Sequence, residues 1–387
     1  MIEWSKQIPG APDAELGIPR KTPVTYHCTS RDKSANGLIF VIHGFGNDTN
    51  SSHDKLLRRY IAETSGLLVV TVEYHCYHAR PNSGARRRLL PETLERLAFL
   101  ATKHGIPPPG EGDEILPHLL EIGKKSQEKI FLKGLLVPPS GDYQNFGVLQ
   151  AMDHLVVLND LVDSGFAFDA NRIFLIGGSH GGYIGHLIAR LAPNSILGLI
   201  DNSSYTVADP MFLGQGNEWR DVIGNIVVVS TVVTEWQFSD AMGPNYYGPS
   251  RAIFRDTGCY SHLLASANAA ARKGQYLMFN TVVDEISPIQ WKRHQLLNLQ
   301  KAGFAASLKE ITEDETGGDL FRSMEHADAP LQKLFEHAHG HFSDEETTLD
   351  RYLSTKISYD CFDRIYTIVH SDAPPYVELR IEQNPGY

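Results

Sequence analysis

Residues 173–182 read IFLIGGSHGG, and this stretch decides the fold. Its first four residues are apolar, as in a buried β-strand, and four glycines then surround Ser179 and His180. Amphipathic spacing resumes over Gly182–Leu191, which predicts a helix directly after the glycines. Glycine two residues before and two residues after the serine leaves room for a tight turn. The stretch therefore predicts a strand, a sharp turn that exposes the Ser179 hydroxyl, and a helix.

Gly177, Ser179 and Gly181 match the G-x-S-x-G nucleophile elbow. The five-residue pattern alone is weak, but it is specific when it lies between a strand and a helix. The alternative is a phosphate-binding turn, which requires G-x-G-x-x-G after the first strand and an acidic residue at the end of the next strand. This sequence has neither feature. We therefore predict that Ser179 is a nucleophile held near the backbone amides of a helix N-terminus.

Short apolar runs alternate with longer amphipathic segments along most of the chain. This alternation predicts an α/β fold with a mostly parallel sheet and helices on both faces. The predicted strands are Leu38–Ile42, Leu67–Val72, Arg172–Ile176, Ile196–Ile200, Gln275–Thr281 and Ala306–Ile311. The predicted helices are Asp54–Thr64, Gln150–Ser164, Gly182–Leu191 and Ile289–Ala302.

Two stretches interrupt the alternation, at about 80–140 and about 205–262. The first contains three consecutive prolines, and the second is rich in aromatic residues interleaved with polar ones. Because no linker rich in Ser or Gly separates either stretch from the rest, we predict a single domain over 1–387. We interpret the first stretch as an insertion and the second as a lid.

A serine nucleophile needs a base and an acid that orients it, in the chain order Ser, acid, His in this type of fold. The predicted strand in QYLMFNTVVDE (275–285) runs into Asp284, so this carboxylate lies at the same sheet edge as the turn. The neighbouring Glu285 and Asp201, which ends another strand, are alternatives. Chain order and spacing favour Asp284.

The base is less clearly marked, because several histidines follow the last strand. His326 lies just before Asp328–Pro330, which is typical of a helix start. His337, His339 and His341 lie farther on in EHAHGHF and are the competitors. We favour His326 on its reach after the last strand. No carboxylate or cysteine completes a metal-ligand set with the His-x-His-x-His run, so we predict no metal site.

Acyl transfer also needs hydrogen-bond donors for the oxyanion of the tetrahedral intermediate. One predicted donor is the backbone N–H of His180, the residue after the nucleophile. The other is the N–H of Phe45, because His43–Gly46 leaves an early strand on glycines that allow the amide to point inward.

Further residues follow strand ends or precede the turn and are predicted to bind substrate. These are His43, Tyr74, Tyr143 and, in the lid, Trp236. Polar residues at these places, such as those of 202–205, would equally cap helices and satisfy buried backbone groups. Both interpretations stay open.

These motifs resemble the α/β-hydrolase superfamily, through His43-Gly44, the elbow and the Asp284 turn. The sequence more closely resembles a bacterial α/β-hydrolase-like family of unknown function. That family shows a His-Gly pair after the last strand, where this chain has His326-Ala327. The resemblance implies a sheet fold with a serine nucleophile, and it brings no substrate. It is carried by HGFGNDTNS (43–51), VEYHCY (72–77), DYQNFGVLQAMDH (142–154), GSHGGY (178–183) and IDNSSY (200–205).

The composition excludes several other classes of protein. A net charge of −11 and a pI near 5.8 argue against a nucleic-acid-binding protein. The longest apolar run, IVVVSTVV (226–233), is too short to span a bilayer, and the first residues contain no secretory signal. We therefore expect a cytoplasmic protein with no nucleic-acid or membrane partner.

The sequence thus predicts a serine hydrolase that cleaves a small-molecule carboxylic ester without a cofactor. The alternatives are a peptidase or amidase of the same fold, and a binding protein that keeps the fold without turnover. Residues 346–387 contain strand-like pieces that would either extend the sheet or mediate assembly into a homo-oligomer.

Overall fold

A computed structural model describes residues 1–44, 51–109, 115–342, 355–371 and 376–387. No helix in these ranges has the length and apolar character needed to cross a membrane. In chain order the strands are β1 (Ile2–Ile8), β2 (Val24–Ser30), β3 (Ser34–Ala35), β4 (Leu38–Ile42), β5 (Leu68–Glu73), β6 (Arg86–Leu89), β7 (Ile130–Val137), β8 (Ala167–Phe168), β9 (Ile173–Gly178), β10 (Gly198–Asn202), β11 (Trp219–Ile223), β12 (Ile226–Val232), β13 (Gln275–Thr281), β14 (Ala305–Ile311), β15 (Lys356–Cys361), β16 (Arg364–His370) and β17 (Val377–Gln383). The helices are α1 (Ser52–Ser65), α2 (Pro91–Lys103), α3 (Ile115–Lys125), α4 (Val148–Asp163), α5 (His180–Leu191), α6 (Pro249–Arg255), α7 (Tyr260–Ala269), α8 (Ile289–Ala302) and α9 (Leu331–Ala338).

The central sheet has eight strands in the order β1-β2-β5-β4-β9-β10-β13-β14. The β1-β2 and β2-β5 pairs are antiparallel, and the other pairs are parallel. From β4 the chain passes to β5 on one side and later to β9 on the other, so the strand order reverses at β4. Ligand sites of open α/β sheets lie at such a reversal, beyond the carboxyl ends of the strands. This is the α/β-hydrolase fold, as the sequence predicted, and Ser179 follows β9 directly.

All six predicted strands and all four predicted helices are present, each with bounds within two residues of the prediction. The sequence pattern did not indicate β1 and β2. The β1 strand, IEWSKQI, is mostly polar and exposed, and β2, VTYHCTS, places polar side chains in the interior. Neither strand has the continuous apolar run of a central parallel strand, so their pairing with β5 becomes visible only in three dimensions.

Strand alternation divides the core between the two faces of the sheet. Ile39 and Val41 of β4 point to the face covered by α1 and α9, whereas Phe40 points to the other face, where its ring lies 5.5 Å from His154 of α4. Every residue of α5 is buried, because this helix lies between the sheet and its neighbours α4 and α7. Burial of one large apolar side chain contributes about 1.5–3 kcal/mol to stability. These contacts fix the position of α5, and with it the turn that carries Ser179.

The C-terminal strands β15, β16 and β17 form a separate antiparallel sheet. This sheet packs on α6 and α7, where the ring of Tyr366 stacks on Phe254 at 4.0 Å and the Tyr359 hydroxyl donates to the Arg190 carbonyl at 2.8 Å. In the ranges 355–371 and 376–387 the chain therefore does not extend the central sheet. Assembly through this segment stays a prediction.

The contacts divide the chain into two units. Met1–Tyr77, Phe146–Ala208 and Gln237–Tyr387 form the first unit, which contains the central and C-terminal sheets. His78–Asn145 and Asp209–Trp236 form the second unit, in which β11, β12, β7 and β6 form a sheet with α2 and α3. Both stretches that interrupt the predicted alternation contribute to this second unit, whereas 237–262 belongs to the first. The lid interpretation stays a prediction.

Candidate active site

Ser179 lies in a strained turn between β9 and α5. Its φ of 54° and ψ of −122° are values that residues with a side chain rarely adopt. Such a conformation costs on the order of 1–3 kcal/mol and persists only where the surrounding structure holds it. Here the Ser179 N–H donates to the Asn202 carbonyl at 2.8 Å, and the Tyr183 N–H donates to the Ser179 carbonyl at 3.1 Å. The turn is therefore held from β10 on one side and from α5 on the other.

The glycines of the turn are required by close backbone contacts. A Cβ atom on Gly177 would lie 2.5 Å from the carbonyl carbon of Gly181, and one on Gly181 would overlap the Ile42 carbonyl oxygen. A Cβ on Gly182 would lie 2.5 Å from Oδ1 of Asp201. The start of α5 thus packs directly against the ends of β4, β9 and β10, with no space for side chains.

The structure brings Ser179, His326 and Asp284 together in a chain of hydrogen bonds. Nε2 of His326 lies 2.8 Å from the Ser179 Oγ, and Nδ1 lies 2.8 Å from Oδ2 of Asp284. Because a carboxylate can only accept, Nδ1 carries the proton. Nε2 of the neutral ring then accepts from the serine hydroxyl. This is the tautomer that a general base requires before it takes the serine proton.

Asp284 is fixed by its own turn. Its Oδ1 accepts the N–H groups of Ile286 at 2.9 Å and Ser287 at 2.8 Å, and its side chain is fully buried. Oδ2 is thereby left facing His326. The neighbouring Glu285, an alternative acid in the sequence, is exposed and is not brought to the histidine.

Asn280, which is not among the predicted site residues, supports the same turn. Its side-chain amide donates to the Ser287 carbonyl at 2.9 Å and to the Thr281 carbonyl at 3.0 Å. A fully buried polar residue inside the apolar strand QYLMFNT is the signal that could have found it.

Asp201, the other alternative acid, belongs to a different network that is sealed from solvent. Its carboxylate accepts from Nε2 of His186 at 3.0 Å and from Nζ of Lys292 at 2.5 Å, and it also accepts from the backbone and hydroxyl of Ser204. Burial opposes its ionisation, but the ammonium and the imidazole outweigh burial and hold the pKa of Asp201 below its usual range. Burial lowers the pKa of both Lys292 and His186. Within the part of the chain that the structure describes, no hydrogen bond joins this carboxylate to His326.

The competing histidines lie away from Ser179. His339 stacks on Phe335 at 4.6 Å and meets the edge of Phe174 at 4.9 Å, near the start of β9 and thus at the opposite end of that strand. His337 and His341 are exposed. Within the described ranges, no group of three or more potential metal ligands occurs.

His180 is the first residue of α5, so its N–H belongs to the helix turn whose amides have no acceptor within the helix. Its buried ring bonds to Oε1 of Gln150 through Nε2 at 2.7 Å. Phe45, the other predicted oxyanion donor, lies outside the described residues. A Cβ on the preceding Gly44 would lie 3.8 Å from the His180 nitrogen and from the Ser179 Cβ. The segment leading to Phe45 therefore leaves β4 beside the turn, and both donor roles stay predictions.

His43 and Tyr74, predicted to bind substrate, are buried beside this segment. His43 pairs with the carboxylate of Asp54, which also pairs with Arg58, and the Tyr74 hydroxyl donates to the His43 carbonyl at 2.8 Å. His43 also lines a cavity of about 430 Å³, together with Ser51, His53, Asp54, Leu56, Leu57, Arg322, Pro330, Leu331, Gln332 and Lys333.

Tyr143 and Trp236, also predicted to bind substrate, belong to the second unit. Nε1 of Trp236 donates to the carbonyl of Asn145 at 3.3 Å within this unit. Their binding role stays a prediction.

Ala327 has a φ of 55°, a left-handed conformation that glycine adopts without steric cost. The resembling family shows glycine at this position. The backbone after His326 therefore follows a path that suits glycine, although this chain has alanine.

The comparisons with known proteins identify a family and a set of solved structures. Residues 5–381 match the family described as "Protein of unknown function (DUF2920)", which confirms the resemblance to an uncharacterised family. No curated protein matches the chain.

Several solved structures are similar to the chain at low identity. One is an acylaminoacyl peptidase from Pyrococcus horikoshii, with 11% identity and a TM-score of 0.47, over 90% of this chain and 43% of that one. A thermostable esterase from Pseudomonas putida has 13% identity and a TM-score of 0.42, over 86% and 76% of the two chains. Carboxyl esterase 2 from Tuber melanosporum has 12% identity and a TM-score of 0.43, over 87% and 81%. The chain thus spans less than half of the peptidase and about four fifths of the two esterases.

Proposed function

This chain belongs to the DUF2920 family of proteins of unknown function, and we propose that it is a serine hydrolase that cleaves a carboxylic ester. One observation carries the proposal. A serine in a strained turn at the carboxyl edge of the sheet lies 2.8 Å from an imidazole nitrogen, and the other nitrogen of that ring lies 2.8 Å from a buried carboxylate. This geometry supports the roles of nucleophile, base and orienting acid that acyl transfer requires.

In the proposed acylation, His326 Nε2 takes the hydroxyl proton of Ser179 while Oγ bonds to the carbonyl carbon of the ester. The N–H groups of His180 and Phe45 stabilise the oxyanion that forms. The imidazolium then returns the proton to the alkoxide as the carbon–oxygen bond breaks, and the alcohol leaves an acyl-enzyme behind. Asp284 holds the ring in orientation and stabilises its positive charge.

Deacylation repeats these steps with water as the nucleophile. His326 takes a proton from the water as its oxygen attacks the acyl carbon. The proton then returns to Ser179 Oγ as the carboxylic acid departs. Esters are the expected substrates because an alkoxide leaves more readily than an amine.

The test is hydrolysis of short-chain p-nitrophenyl esters followed on the millisecond scale. Wild-type protein is expected to release an initial burst of nitrophenol equal to the enzyme concentration, which is the signature of an acyl-enzyme. Ser179→Ala is expected to lose both the burst and turnover. Ser358→Ala serves as a matched control, because this serine lies in the C-terminal sheet and its hydroxyl bonds only to the Thr367 hydroxyl among the described residues.

Two results would overturn the proposal. Wild-type protein that is inert toward these esters would favour a binding protein that keeps the fold. Cleavage of aminoacyl amides at rates comparable with those of esters would favour a peptidase or amidase.

A further inference from the structure

Asn202 connects the two parts of the chain that carry the proposed nucleophile and base. Its backbone carbonyl accepts the Ser179 N–H at 2.8 Å. Its side-chain amide donates to the carbonyl of Ala327 at 3.2 Å and to that of Ala329 at 2.9 Å. Ala327 directly follows His326 in the chain. One buried residue therefore holds both the turn of the serine and the loop of the histidine.

The sheet fixes the place from which Asn202 makes these contacts. In the register of the sheet Asn202 lies between Gly178 of β9 and Phe279 of β13. The next residue, Ser203, donates its N–H to the Phe279 carbonyl at 2.8 Å. The backbone of Asn202 is thus held on both sides, and its side chain starts from a rigid position.

The chemistry of the side chain suits this role. Carbonyl oxygens only accept, so the NH₂ group of the amide must face Ala327 and Ala329, and both of its N–H groups are used. Oδ1 then faces the hydroxyl of Ser203 at 3.4 Å. Aspartate at this position would offer only acceptors to the two carbonyls, and alanine would offer nothing.

The loop of the histidine needs such support. Ala327 is left-handed, with a φ of 55°, and this conformation is unfavourable for a residue with a Cβ atom. The two accepted hydrogen bonds lie on either side of Asp328, so they hold the chain just after His326 in this conformation. Loss of the amide would let Ala327 relax toward a common backbone conformation. This change would shift the imidazole of the preceding residue, His326.

We propose that Asn202 is a positioning residue that sets the distance from His326 Nε2 to Ser179 Oγ. This inference rests on the proposed function, because it concerns the same nucleophile and base. Asn202 touches neither the substrate nor the reacting atoms in this role. It acts through the backbone on both sides of the proton transfer.

Asn202→Ala tests the proposal through the separate effects on kcat and KM for a p-nitrophenyl ester. We expect kcat to fall about 10- to 100-fold, because a displacement near 1 Å of a catalytic group has an effect of this size. KM should stay within about twofold, since the substrate contacts are unchanged. Asn202→Ser, which retains one donor, is the milder variant if Asn202→Ala does not fold.

Asn194→Ala is the matched control. The Asn194 amide also holds a loop, through the Ala269 carbonyl at 3.2 Å and the Ala271 N–H at 2.7 Å, but it has no link to the proposed site. This variant should lose stability in urea and keep its kcat. A purely structural role of Asn202 would give the same pattern.

A double variant supplies a second readout. Glycine tolerates the left-handed conformation without the support of the amide. Adding Ala327→Gly should therefore raise the kcat of Asn202→Ala by about threefold or more. If the wild-type protein is active, the proposed function holds. In that case, an unchanged kcat in a folded Asn202→Ala protein, or no recovery of kcat in the double variant, would overturn the inference about Asn202. An inert wild type would overturn both.

Discussion

Two strands of the central sheet end near an aspartate that is hydrogen-bonded to a histidine. The two aspartate–histidine pairs differ in their exposure to solvent and in the groups they contact. At β13, Asp284 bonds to His326, whose side chain is 18% exposed and reaches Ser179. At β10, Asp201 bonds to His186 with both side chains buried, and Lys292 supplies a positive charge to the carboxylate. An aspartate–histidine pair is therefore not by itself a sign of catalysis. The accessible pair faces a strained serine, whereas the sealed pair holds α5 and α8 against the sheet.

The largest expected contrast is between the two histidines. His326→Ala should lower kcat/KM for the ester by about 10⁵- to 10⁶-fold, because the serine loses its base. His186→Ala should leave kcat/KM within about threefold and lower the free energy of unfolding by about 2–4 kcal/mol through a cavity and a lost hydrogen bond. Ester hydrolysis and urea unfolding of both variants measure the two effects. The same loss of activity in both variants would contradict the distinction between a pair at the proposed active site and a structural pair.

Substitution of the two aspartates should likewise affect activity in one case and stability in the other. Asp284→Asn is expected to lower kcat by about 10⁴-fold with little loss of stability, because the amide no longer favours the required tautomer. Asp201→Asn leaves the Lys292 ammonium buried without its counter-charge, which should lower the free energy of unfolding by about 3–5 kcal/mol. The measurements are again kcat and urea unfolding. A stable Asp201→Asn protein would contradict the description of this pair as a structural ion pair.

The lowered pKa values of two buried histidines also predict how the free energy of unfolding depends on pH. Burial lowers the pKa of His154 to about 4 and that of His262 to about 3. Below about pH 6.5 the unfolded chain binds protons on these residues and the folded chain does not, so stability should fall as the pH is lowered. His154 alone should contribute about 3 kcal/mol to the fall between pH 6.5 and 4. Urea unfolding across this range should be flatter for His154→Gln; an equally steep curve would refute the assignment.

The smallest expected effect is at Ser287, where the hydrogen-bond networks of Asp284 and Asp201 meet. The Ser287 hydroxyl donates to the Ser204 carbonyl at 2.6 Å, while the Ser287 N–H donates to Asp284. Ser287→Ala keeps the N–H and removes only the hydroxyl, so kcat should stay within about threefold and stability should fall by about 0.5–1.5 kcal/mol. Steady-state kinetics and unfolding check both numbers. A tenfold loss of kcat would mean that the two networks act as one.

Much of this arrangement could be predicted from the sequence because its signals are local. The glycines around Ser179, the strand running into Asp284 and the helix start after His326 each lie within a few residues of the group they position. The sequence also predicted the strands around them and their mostly parallel arrangement, through short apolar runs. The catalytic roles of these residues stay predictions.

Lys292 and Asn202 could not be predicted as supporting residues, because their partners are distant in the chain. Lys292 lies on an amphipathic helix, where a lysine normally indicates the exposed face, yet its partner Asp201 is 91 residues away. Asn202 meets Ala327 only after β10 and the loop beyond β14 have come together. The sequences of β1 and β2 have too little apolar pattern to indicate their place at the edge of the sheet.

Labelling with a fluorophosphonate probe, followed by peptide mapping, tests the central claim most directly. If His326 activates Ser179, the probe should attach to one residue, within the peptide that contains 173–182, and His326→Ala should abolish the adduct in a folded protein. A wild-type protein that takes up no label, or a label mapped to another serine, would contradict the account.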